Sequence, residues 1–99
     1  MNTIVEHLTG MSTLTDQVVA TNFLINAKSG VRNYAMAVTE AGTPEVKAVL
    51  TKHLEEAIDT HERIMAYMIE RGWYHPWNTA DQIRLDLMNI DTALKAPML

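Results

Sequence analysis

The sequence contains no cysteine. That single absence removes disulfide frameworks, thiolate metal sites and thiol nucleophiles together. Basic runs are missing too: 8 Lys+Arg stand against 12 Asp+Glu, a formal charge of −4, which argues against nucleic acid or an anionic membrane as the main partner. No stretch is apolar for long enough to span a bilayer. The opening residues, Met1 to His7, lack the basic and then apolar order of a secretory signal. A protein made and kept on the cytosolic side of its cell is expected. There is no internal repeat, low-complexity tract, linker or strand-period segment. No Ser/His/Asp arrangement or phosphate loop is visible either, so no catalytic residue and no cofactor is called for.

Glycine and proline are scarce, 4 and 3 residues, and they punctuate long helical patterns. The turn Ala41-Gly42-Thr43-Pro44-Glu45 organises the chain. Gly42 fits a helix C′ position, where the left-handed conformation is free of steric cost only for Gly. Thr43 can cap a new helix whose first residue is Pro44, where the missing N–H costs nothing. A stop and a start so close together fold the second helix back along the first. Each arm, of roughly 28 residues, would be about 40 Å long.

The reading is of one all-α domain over residues 1–99, an antiparallel helical bundle of short, long, long and medium helices. Ile4, Leu8 and Met11 share one side of a short first element that Gly10 ends. The long hairpin spans residues 13–71. Its first arm opens at a capping box of Thr13 and Asp16 and contains Gly30, a local cost of about 1 kcal/mol relative to Ala that a close backbone approach would explain. The polar sector of this arm is narrow (Asn22, Asn26, Ser29, Asn33, Glu40), as expected of a central helix. The second arm carries the seam Leu50, Leu54, Ala57, His61, Ile64 and Met68, flanked by Val46, His53, Ile58, Met65 and Ile69. Gly72 stops it. An aromatic connector follows over 72–78, with Trp73, Tyr74 and Trp77. A second capping box, Thr79 with Gln82, starts the last helix over 79–95. Ile83, Leu87, Ile90 and Leu94 make the seam of that helix, which leaves Leu85 and Met88 pointing elsewhere as candidates for a subunit interface.

Three polar residues interrupt apolar surfaces. His61 lies on the seam, expected as a neutral histidine bonded to Thr21, a tyrosine or a carbonyl, with a ligand or pH-sensitive role as the alternative. Lys28 and Arg32 interrupt the first arm; either their stems cover apolar surface or a buried charge pairs across a dimer interface. Trp73, Tyr74 and Trp77 either cap the end of the bundle or form an aromatic patch for a partner. His75 is expected to face solvent. The breadth of apolar surface on the first arm points to a homodimer.

Several of these residues together carry a resemblance. Lys28, Tyr34-Ala35, Glu40, the turn Gly42-Thr43-Pro44-Glu45, Leu50, Leu54, His61, Ile64, Tyr67-Met68 and Gly72-Trp73-Tyr74-His75-Pro76 resemble the spore coat protein F family of endospore-forming bacteria, over roughly Leu14 to Thr79. The resemblance implies a coat or spore-associated structural protein, made in the mother cell and deposited on the spore coat beside other coat proteins. It also implies a ferritin-like bundle, and it supplies no catalytic residues.

Di-metal bundles of that kind need inward-facing Glu-x-x-His pairs. Here Ile58 stands three residues before His61, and Leu50 three before His53. Glu56 falls toward the polar face. The first arm offers only Asp16 and Glu40 as acids, near its two ends. No intrinsic metal site is expected; if there is one, it draws on His53, His61 and Glu56 between subunits. Three functions are therefore weighed: a non-catalytic coat or assembly protein, a ferritin-like bundle with an incomplete or inter-subunit metal site, and a small helical module that docks on another protein. The first is the reading adopted.

Overall fold

The computed structural model describes residues 3–96, with side chains described from Gly10 onward. Among these residues the chain is all-helical, with three helices: α1 (Thr3–Thr39), α2 (Pro44–Glu70) and α3 (Thr79–Leu94). This corrects the expected four-helix, ferritin-like bundle. The short first element and the first arm are one helix of 37 residues, and Gly10 lies inside it. A single interior glycine costs a helix only about 1 kcal/mol, too little to end one held on both sides. Thr13, expected to cap, is interior as well. The close approach expected at Gly30 is not there, since an added Cβ would meet nothing within 4 Å; at Gly10 one would stand 3.4 Å from the Thr92 side-chain methyl, Cγ2.

The helices divide between two compact units, Met1–Ala20 with Met68–Leu99, and Thr21–Tyr67. The second unit is a helical hairpin. Its first helix ends in tight backbone bonds from Glu40 N–H to the Ala37 carbonyl and from Ala41 N–H to the Val38 carbonyl. The chain then re-enters a helix through Thr43, whose Oγ1 accepts from Val46 N–H at 3.2 Å and whose carbonyl accepts from Lys47 N–H. Gly42 is not in the left-handed region; among the described residues Gly72 alone has a positive φ, 73°. The tight bonds at Glu40 and Ala41 close α1 before Gly42 is reached, so no left-handed residue is required there.

Within this hairpin Leu24 is buried, and Ala27, Val31 and Val38 are half-buried beside it on α1. Leu50, Leu54, Ala57, His61 and Ile64 are half-buried on α2. The 3–4 spacing of both sets makes one shared seam. The remaining apolar faces of α1 stay in the open: Phe23, Ile25 and Met36 are exposed. A two-helix unit has one seam and no layer to cover its flanks. Within the hairpin unit the first arm is therefore not a central helix.

In the first unit α2 ends in a Schellman motif. Trp73 N–H donates to the Met68 carbonyl and Gly72 N–H to the Ile69 carbonyl, with Gly72 supplying the left-handed residue that this motif needs. Met68, 2% exposed, is the most deeply buried side chain here. The next helix is capped by Asn78, whose side chain accepts from Asp81 N–H at 3.1 Å. That corrects the expected Thr79–Gln82 box: the cap lies one residue earlier, because Gln82 Oε1 is taken up by the N–H of His75 at 2.6 Å.

Candidate functional site

The packed side of α3 is the reverse of the one expected. Leu85 is buried, and Gln82, Asn89 and Thr92, which share its side of the helix at spacings of three and four, are half-buried. Ile83, Leu87, Ile90 and Leu94, the expected seam, are 52–80% exposed. The reason is polar. Asn89 Nδ2 donates to Gln17 Oε1 at 2.8 Å and Gln17 Nε2 donates back to Asn89 Oδ1 at 3.3 Å. Gln17 is buried at 7% exposure, and a buried amide needs partners for its donors and its acceptor. The reciprocal pair supplies one partner to the amide nitrogen and one to the oxygen, and fixes which face of α3 meets α1. Leu85 is thereby spent inside its own chain, while Met88 is exposed.

Sequence reasoning missed this pair. Gln17 sits in the progression Gly10, Leu14, Gln17, Ala20, Leu24, Ala27, Val31 at spacings of four and three, and that register was the signal available.

In the hairpin unit Lys28, Val31, Ile58 and His61 line one open cavity of about 260 Å³. Lys28 and Arg32 are exposed and His61 is half-buried, so the expected buried polar seam reduces to the histidine. Its Nε2 is buried and finds no hydrogen-bond partner among the described residues. The expected bond to Thr21, a tyrosine or a carbonyl is not formed at this nitrogen. His53 meets a ring instead of a ligand set: Tyr34 packs against it edge to face, with centroids 5.5 Å apart. Glu56 is exposed. Among the described residues no three His, Asp or Glu side chains are grouped to hold a metal ion.

The aromatic connector divides. Trp73 and Tyr74 are half-buried, and the Arg71 guanidinium lies 5.5 Å from the centre of the Trp73 ring, a cation–π distance. Trp77 is 83% exposed. His75, expected in solvent, is half-buried, with Nε2 3.1 Å from the Gly72 carbonyl oxygen.

The exposed apolar surface is the dominant chemical feature. Among the described residues sixteen large hydrophobic side chains are exposed, while Ala20, Leu24, Met68 and Leu85 are the buried apolar ones. No described helix is long and apolar enough to cross a membrane. Such surface can be covered by protein.

Comparison with known proteins relates the chain to a family and to a relative. Residues 15–78 match the family model described as the Coat F domain. Over all 99 residues, and over the whole of both chains, the sequence is 65% identical to the spore coat protein F-like protein YraD of Bacillus subtilis (strain 168). No solved structure matches.

Proposed function

Because the chain belongs to the Coat F family, we propose that it is a spore coat or spore-associated structural protein, non-catalytic, acting by packing and oligomer assembly. The observation that supports the mode of action is the imbalance of apolar surface, sixteen large exposed side chains against four buried apolar ones among the described residues. Four of them, Ile83, Leu87, Ile90 and Leu94, fall on one stripe of α3, and monomers that work alone in water rarely keep large contiguous apolar patches open. The partners are a second copy of the chain and other coat proteins. Synthesis in the mother cell followed by deposition on the spore surface fits this reading.

The test is fractionation of spores from an endospore-forming host that carries a tagged copy of the chain. Recovery in the coat extract, and not with the soluble proteins of the core, is the expected result. Recovery in the core alone would overturn the reading.

A further inference from the structure

We propose that the outward face of α3 is a self-association surface, on which two copies of the chain pair α3 against α3 in antiparallel orientation about a twofold axis. This deepens the assembly reading and rests on it. Ile83, Leu87, Ile90 and Leu94 recur at steps of four, three and four, the spacing of a coiled-coil seam, and all four are more than half exposed. In heptad terms they occupy d, a, d and a. Leu85 and Thr92 are then both at f, the position opposite the seam, and these are among the side chains that α3 turns toward its own unit. The helix thus uses one side within its chain and presents the opposite, apolar side outward.

Charge selects the occupant and its direction. The residues beside the seam are Arg84 and Asp91 at e, with Asp86 and Ala93 at g. Charges at e and g set partner choice and orientation in such pairs. In an antiparallel pair e faces e, so Arg84 of each copy stands by Asp91 of the other, twice over. A parallel pair sets g against e and brings Asp86 against Asp91, a like-charge contact at both edges. Within their own helix Arg84 pairs with Asp81 and Asp91 with Lys95. Both are exposed local pairs, which hold a side chain only weakly, so these charges are available to a partner. The face is complementary to itself in one direction only.

The antiparallel register places Ile83 beside Leu94 of the second copy. Residues 83 and 94 of one helix are about 16 Å apart at 1.5 Å per residue, too far for a disulfide within one chain. The native sequence has no cysteine, so introduced thiols report cleanly. The full chain carrying both Ile83→Cys and Leu94→Cys should oxidise to a covalent dimer, and either substitution alone should not. Leu87→Asp should weaken self-association about 30-fold or more, as loss of a central anchor does, with its helical circular dichroism retained. Arg84→Asp should weaken it too, and adding Asp91→Arg should restore it.

A single-cysteine variant that cross-links would show a parallel pair and overturn the proposal. A native dimer that neither cross-links in the double variant nor responds to Leu87→Asp would show that another face mates, overturning the proposal while leaving the assembly reading intact. A native monomer, with this face taken up by a different protein or by none, would overturn it as well.

Discussion

Gln17 on α1 and Asn89 on α3, 72 positions apart in sequence, exchange two side-chain amide hydrogen bonds at 2.8 and 3.3 Å. This pair decides which side of the last helix is inside. Truncating one partner leaves the other amide short of partners in a buried place, which typically costs about 1–3 kcal/mol. Gln17→Ala and Asn89→Ala are each expected to lower stability by that amount in denaturant titrations. Replacing both with Leu is expected to be much less costly than the sum, and the coupling is read from a double-mutant cycle.

The second prediction concerns His61. Its Nε2 is buried without a partner among the described residues, so the folded chain carries a desolvation cost that an apolar side chain would not. His61→Leu is expected to raise stability by about 1 kcal/mol, read as a higher denaturation midpoint. A loss of stability instead would mean that the ring makes a polar interaction worth more than this cost.

Gly72 and Gly42 make a matched comparison. Gly72 has a φ of 73° and Gly42 does not have a positive φ, and an added Cβ meets nothing within 4 Å at either. Any difference therefore comes from the backbone. Gly72→Ala is expected to destabilise by about 1–2 kcal/mol through left-handed strain, whereas Gly42→Ala should be neutral or stabilising by up to about 1 kcal/mol. Thermal melts of the two variants side by side check this.

The caps supply a fourth prediction. Asn78→Ala removes the bond to Asp81 N–H and should cost about 1 kcal/mol, as loss of an N-cap usually does. Thr79→Ala should cost little, because Thr79 is the first residue of the helix itself. Urea unfolding of both variants distinguishes the cap from its neighbour.

These residues also show what could be read in the sequence. The hairpin was legible because its signals are local: Thr43 and Pro44 start a helix from their own chemistry, Gly72 ends one, and the seam from Leu50 to Met68 repeats within one element. The start of α1 was misread because a lone glycine resembles a stop until its surroundings are known; Gly10 is held inside a helix that passes Thr92. The face of α3 was misread for a related reason. Periodicity finds an apolar stripe, but it cannot say whether that stripe meets its own chain or another one. The choice depended on Asn89 finding Gln17, a contact that no spacing within α3 contains. His61 was legible as an anomaly on an apolar seam, while its lack of a partner at Nε2 was not, since that depends on what the opposite helix presents.

The most direct test of action by assembly is the mass of the full native chain in solution, measured by light scattering at micromolar concentration in moderate salt. A mass of at least twice the 11.1 kDa of one chain, falling toward one chain on dilution, is the predicted result. A well-folded species that stays at 11.1 kDa over the whole concentration range, with its apolar faces open to water, would contradict it.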